Sequence, residues 1–139
     1  MPGTGAQYAL SLARIAAGLM LFVFHGLGKL TGAFNYFANG QEWRFVGVVT
    51  EMGLPLPSLL ALLVALIESV GGILLVVGLF TRQVAMLIAV ILAVAAYRGV
   101  TTGGLFELPL LYLVVMLVFA FQHQLPWSVG KLKVRREKA

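Results

Sequence analysis

Residues 57–80 read PSLLALLVALIESVGGILLVVGLF, a run of 24 residues that is apolar almost throughout and contains one charged side chain, Glu68. A helix of about 20 apolar residues crosses the roughly 30 Å hydrocarbon core of a bilayer. Proline at the start of the run suits the first turn of such a helix. The run therefore predicts a transmembrane helix with one ionisable group in its interior.

Three further apolar stretches predict three further transmembrane helices. They cover residues 8–30, with Arg14 inside, residues 82–98, and residues 105–122, with Glu107 near the start. Hydrophobic residues make up 60% of the 139 residues and charged residues only 11%, whereas about a quarter of a soluble domain is charged. We therefore expect an all-α fold in which residues 1–139 form a single integral membrane domain, an up-and-down bundle of four transmembrane helices.

The distribution of Lys and Arg predicts which end of the bundle faces the cytoplasm. Four spans place both termini and Arg82 at one end, and that end has six basic residues, five of them in the tail at 131–139. The other end has Lys29, Arg44 and Arg98. By the positive-inside rule both termini are then cytoplasmic, with the tail as a topology anchor or as a contact for anionic lipid. A signal peptide is the competing interpretation of the first stretch, but no basic segment precedes it and no small-residue cleavage site follows it.

The first loop, residues 32–56, is the one long segment outside the predicted spans. Between residues 41 and 52 its apolar side chains recur at helical spacing, which predicts a short helix lying in the membrane interface. Two roles are open for the loop, a lid that seals the outer end and part of a substrate-binding site. Its aromatic residues suit the headgroup level of a bilayer; they are Phe34, Tyr36, Phe37, Trp43 and Phe45.

Arg14 and Glu68 are the ionisable residues placed deepest in the predicted spans. Glu68 is followed one turn later by Gly71 and Gly72, so it shares a face with small residues that let helices approach closely. Counting 1.5 Å per residue puts Arg14 and Glu68 at depths of about 9 Å and about 14 Å from the cytoplasmic side. We therefore predict an Arg14–Glu68 ion pair, direct or through water, as a structural clasp or a functional polar site. A neutral, protonated Glu68 is the alternative.

Four ionisable residues are predicted to meet at the outer end of the bundle. His25 and Lys29 lie on the bundle side of the first helix, Arg98 ends the third span, and Glu107 begins the fourth. We expect these four residues to form a binding site for a small molecule under the aromatic loop. The alternative is that they are ordinary interfacial charges that extend toward the headgroups.

The sequence lacks the residues for several kinds of chemistry. It has no cysteine, which excludes disulfides, thiolate catalysis and iron–sulfur ligation. Its two histidines, His25 and His123, have no further ligands at suitable spacing, so we predict no metal site. The net charge of +5 is not accompanied by any nucleic-acid recognition motif. We therefore expect no intrinsic cofactor, and any redox chemistry must use a borrowed one.

Five short segments occur in order over about residues 8–100. They are RIAAG at 14–18, FHGLGKL at 24–30, GLP at 53–55, ESVGG at 68–72 and GLFTR at 78–82. Together they resemble the DoxX family of small bacterial membrane proteins. The resemblance implies a four-helix protein of the bacterial inner membrane, associated with respiratory or redox enzymes. Carried over to this sequence, Arg14, His25, Lys29 and Glu68 would be the family's signature polar positions.

The resemblance and the outer cluster lead to function hypotheses of different classes. The first is a membrane subunit of a redox or respiratory complex that binds a quinone, an accessory subunit of a quinone-linked oxidoreductase if it is part of an enzyme. His25 would bind a quinone carbonyl, Lys29 or Arg98 would stabilise a reduced anion, and Glu68 or Glu107 would relay protons. The second is a structural or assembly subunit that binds no ligand and packs against a larger membrane complex or against its own copies. A small-solute transporter is a third, disfavoured because the sequence shows no inverted repeat.

Overall fold

The computed structural model describes residues 4–122 and 125–129, and the regular structure in these ranges is helical throughout. The helices, numbered in chain order, are α1 (Gly5–Asn39), α2 (Arg44–Glu51), α3 (Pro57–Val77), α4 (Thr81–Thr102) and α5 (Glu107–Phe121). Within these ranges α1, α3 and α4 are long and apolar enough to cross a membrane, whereas α5 is apolar but has only 15 residues. The predicted all-α fold is confirmed. The basic tail predicted at 131–139 lies outside the described residues.

Helix α1 is longer than the sequence analysis predicted. It runs for 35 residues, about 52 Å at 1.5 Å per residue, so the first part of the predicted loop is helical. Its start is capped by Thr4 and Gln7, which bond to each other's backbone, and it ends at Gly40, which has a φ of +65°. The indole of Trp43 packs directly on the added turns at Gly32, in the space that a side chain there would fill. This contact stabilises the added turns.

Helices α1 and α3 run antiparallel and touch backbone to backbone at two levels. At one level, a Cβ on Gly18 would lie 2.6 Å from the carbonyl oxygen of Gly72. At the other, a Cβ on Gly26 would lie 2.8 Å from the Cα of Ser69. Between these levels α1 forms a π-helical segment, Leu21–Gly26, and such a segment changes the direction in which the following side chains point.

The long helices alternate in direction around one apolar core. A tight turn at Gly78, with a φ of +70°, joins α3 to α4, and Gly99 near the end of α4 lets Phe106 pack closely just before α5. The core residues that are 1% exposed or less are Leu21, Leu75, Ala85, Ile88, Met116, Phe119 and Ala120.

Helix α2 lies across the end of the bundle where α1 finishes and α3 begins. Its Val49 and the preceding Trp43 are buried against the small side chains Ala33, Ala61 and Ala65. The short helix predicted between residues 41 and 52 is present, and its location in the membrane interface stays a prediction. We call this end of the bundle the α2 end.

Candidate functional site

Lys29 and Glu68 form an ion pair inside the bundle near the α2 end. Nζ of Lys29 donates a hydrogen bond to Oε2 of Glu68. The side chain of Glu68 is 5% exposed and that of Lys29 is 23% exposed. The ring of Phe45, from α2, faces the ammonium group with its centroid 4.5 Å from Nζ. A carboxylate and an aromatic face both stabilise a cation, so α1, α2 and α3 together hold this charge.

The local sequence explains why these two side chains meet. Gly26 lets α1 approach α3 at Ser69, the neighbour of Glu68. Lys29 follows Gly26 by three residues and therefore lies on the same face of the helix. The hydroxyl of Ser69 donates to the carbonyl of Ala65 in its own helix, so it does not compete for the carboxylate. Lys29 thus extends from α1 at the level of Glu68.

His25 lies near this pair, and Tyr112 packs against His25. Their rings meet edge to face, with centroids 5.8 Å apart and an interplanar angle of 85°. His25 belongs to the π-helical segment of α1, and Tyr112 is a buried residue of α5. The charges of both Glu68 and Lys29 act on the imidazole. We call the four residues His25, Lys29, Glu68 and Tyr112 the Lys29–Glu68 site.

Arg14 is buried at the opposite end of the bundle, with 1% of its surface exposed. Its Nη1 donates to the carbonyls of Leu75 and Val76, and its Nη2 donates to the carbonyl of Trp127 at 2.9 Å. The last carbonyls of a helix lack helical partners and form the negative end of the helix dipole. Arg14 is therefore held by the C-terminal end of α3, in an arrangement that fits a structural clasp.

The structure does not bring Arg14 and Glu68 together, so the predicted direct ion pair is wrong in its partners, although both residues are buried. Leu75, which binds Arg14, follows Glu68 by seven residues, or about 10 Å along α3. The prediction counted depth from the ends of the spans. It could not include the register between α1 and α3, which the Gly18–Gly72 contact fixes. At that register Lys29, and not Arg14, lies level with Glu68.

The structure also separates the four residues that were predicted to meet at the outer end. His25 and Lys29 lie in the site described above. Arg98 instead donates from Nη2 to Oε2 of Glu51 at 2.7 Å, in an ion pair that links α4 to α2 at the surface. Glu107 is exposed in the first turn of α5, where a carboxylate interacts favourably with the helix dipole.

Sequence reasoning missed Tyr112 as a member of the site and Glu51 as the partner of Arg98. A signal for Tyr112 was present, because it and Glu107 are the only polar side chains in α5. No comparable signal marks Glu51, which is an exposed residue at the end of a short helix. Among the residues that the structure describes, no three or more His, Asp or Glu side chains are grouped so that they could hold a metal ion.

Comparisons with known proteins agree with the resemblance noted in the sequence. The DoxX family model matches residues 9–102. A protein of Haemophilus influenzae, described as an uncharacterized protein, is 35% identical over 125 residues, which cover 82% of each chain. No solved structure matches.

Proposed function

The chain belongs to the DoxX family, and from this premise we propose that it is a subunit of a membrane redox or respiratory complex that binds a quinone at the Lys29–Glu68 site. The observation that carries the proposal is the buried ion pair beside His25 and Tyr112. Ionisable groups in a membrane-embedded bundle are costly and usually mark a functional site. The ring of Phe45 covers the ammonium group of Lys29, and the surrounding helices have an apolar exterior.

We place the protein in the bacterial inner membrane with both termini in the cytoplasm. Helices α1, α3 and α4 have the length and hydropathy of transmembrane helices. Helix α5 is about 22 Å long, and local thinning of the bilayer lets such a helix cross as well. Helix α2 then lies in the outer interface, with Val49 facing the bundle and Glu51 facing outward.

The residues of the site suit a quinone. Quinone carbonyls accept hydrogen bonds, and the imidazole of His25, the hydroxyl of Tyr112 and the ammonium of Lys29 are donors. The rings of Phe45 and Tyr112 provide aromatic walls of the kind that pack against a planar ring. A bound quinone supplies chemistry that takes up two electrons and two protons. In this reading His25 orients the ligand, Lys29 stabilises developing negative charge, and Glu68 exchanges protons.

The electrons come from a partner subunit in this proposal. The chain has no cysteine and therefore cannot ligate an iron–sulfur cluster by thiolates. The protein would accordingly contribute the ligand site and the proton-exchanging groups, and a redox partner would contribute the electron carrier.

Tryptophan fluorescence provides a direct test, because the chain has two tryptophans at opposite ends. In a Trp127→Phe background the remaining Trp43 lies 5.9 Å from Phe45 between ring centroids. We expect a short-chain ubiquinone to quench Trp43 saturably in protein held in lipid nanodiscs. Adding His25→Phe should weaken binding about tenfold, since one lost hydrogen bond is worth roughly 1.4 kcal/mol.

Two controls make this test specific. Arg98→Gln changes a charge at the same end but outside the site, so it should leave the affinity unchanged. Trp43→Phe leaves the distant Trp127, whose fluorescence should not be quenched saturably. Equal binding in His25→Phe and the parent would contradict the proposed site. Negligible binding in the parent would instead favour a structural or assembly subunit, and co-purification with a larger complex would then identify its partner.

A further inference from the structure

The polar residues inside the bundle are divided between its two ends. Near the α2 end they are the members of the Lys29–Glu68 site and the neighbouring Ser69, whose hydroxyl bonds to Ala65 in its own helix. Near the opposite end they are Ser11, Arg14 and Ser128, each buried, with Ser11 donating to the carbonyl of Pro126 at 2.8 Å. An uninterrupted apolar layer separates the two groups. We call it the apolar plug; its residues are Ala17, Leu21, Leu75, Ile88, Ala89 and Met116, all 7% exposed or less.

The apolar plug offers water no polar side chain, and it is closely packed at two glycines of α3. A Cβ on Gly72 would lie 2.8 Å from the carbonyl oxygen of Gly18, and a Cβ on Gly71 would lie 3.1 Å from Cδ1 of Ile88. A buried water needs a cavity at least as large as one probe sphere and about two to four polar partners. The layer extends about 10 Å along α3, the seven residues from Glu68 to Leu75. Because these side chains are apolar and buried, we expect neither water nor protons to cross this layer.

The site is open toward the α2 end. Lys29 is the more exposed member of the ion pair, at 23% against 5% for Glu68. Of the other charged groups that α2 and α4 bring to this end, Glu51 and Arg98 pair with each other at the surface, and Arg44 is exposed. From α1, His25 lies near the pair, and Tyr112 of α5 packs against His25. Because the ammonium of Lys29 lies against Phe45 of α2, we expect water to reach Glu68 past the exposed part of Lys29.

We propose that the Lys29–Glu68 site exchanges protons with the α2 end of the bundle only, so that the protein gives quinone chemistry a defined side of the membrane. The statement about quinone rests on the proposed function, whereas one-sided water access does not. With the topology proposed above, protons taken up or released at this site come from or go to the outer compartment.

The absence of cysteine from the chain makes single-cysteine labelling a clean test. Lys29→Cys and Phe45→Cys report on the site. Glu51→Cys, whose parent side chain is 71% exposed, marks the α2 end, and Arg82→Cys, at the exposed start of α4, marks the opposite end. Each variant is reconstituted in sealed vesicles and treated with a charged, membrane-impermeant methanethiosulfonate added to one side at a time.

We expect Lys29→Cys and Phe45→Cys to react from the side that labels Glu51→Cys and to lose labelling when the reagent is on the side that labels Arg82→Cys. Labelling from both sides at similar rates would overturn the proposal, and so would labelling from neither side. Phe45→Cys keeps the ion pair intact, so the test stands even if Lys29→Cys fails to fold. Absence of quinone binding together with one-sided labelling would refute the proposed function and leave the sidedness in place.

Discussion

Two buried basic residues of the first helix are stabilised in different ways. Arg14 donates to carbonyls at the end of α3 and to Trp127, whereas Lys29 is neutralised by the carboxylate of Glu68. The guanidinium suits the first arrangement because its planar fork directs several donors at once, and the ammonium suits the second as a compact point charge. The sequence allowed both residues to be placed facing inward. It could not pair them, because partner choice depends on a register that is fixed by glycine contacts.

A double-mutant cycle on Lys29 and Glu68 tests the pair at this scale. Lys29→Met or Glu68→Gln alone should lower the free energy of unfolding in detergent by about 3 kcal/mol, because each change leaves one buried polar group without its partner. The double variant should lose clearly less than the sum of the two.

The exposed Arg98–Glu51 pair is the matched control for this cycle. The same substitutions there should cost about 1 kcal/mol or less, because surface ion pairs contribute little. Combining Arg14→Met with Glu68→Gln should give additive losses, since these two side chains do not touch. Strong coupling between Arg14 and Glu68 would contradict the arrangement described here.

At the scale of elements, the contact between α1 and α3 fixes the position of the site. Gly18, before the π-helical segment, and Gly26, its last residue, allow backbone contact, and together they bring Lys29 level with Glu68. Small residues were recognised from the sequence as packing positions. The π-helical segment was not, because nothing in LFVFHG distinguishes it from an ordinary helical turn. The extension of α1 was also missed, because it depends on Trp43 folding back from beyond Gly40.

Two glycine substitutions on this helix should have opposite effects. Gly18→Ala should destabilise the protein by about 1 to 3 kcal/mol, because the new methyl group meets the backbone of Gly72. Gly28→Ala is the control, because a Cβ there has nothing within 4 Å. It should stabilise the helix by up to about 1 kcal/mol. Thermal unfolding followed by circular dichroism measures both effects, and equal behaviour of the two variants would argue against the backbone contact.

At the scale of the whole molecule, hydropathy alone predicted the helical class and the three long apolar helices. The fourth crossing stays a prediction, because 15 residues are fewer than a typical span. Charge distribution predicted the orientation, but five of the basic residues on which it depends lie in the tail beyond the described residues. The prediction that Arg98 and Glu107 join His25 and Lys29 in one site was wrong for another reason. Several charged residues lie at the same end of the bundle, and the sequence does not determine which of them pair. In the structure Arg98 pairs with Glu51.

Reporter fusions test the fourth crossing. A fusion of alkaline phosphatase, which is active only outside the cytoplasm, should be active after Gly104 and inactive after residue 139. Green fluorescent protein, which fluoresces only in the cytoplasm, should give the reverse pattern. The expected inversion follows because α5 lies between the two fusion points and changes the side of the membrane. If both fusion points lay on the same side of the membrane, α5 would not cross the bilayer.

The bond from Arg14 to Trp127 has a consequence for biosynthesis. Arg14 lies in the first described helix, and the carbonyl that accepts from its Nη2 is synthesised only after helix α5. During translation the guanidinium must therefore rely on other acceptors, such as lipid phosphates or the insertion machinery. The first helix therefore completes its hydrogen bonds only when the last described segment of the chain has been synthesised.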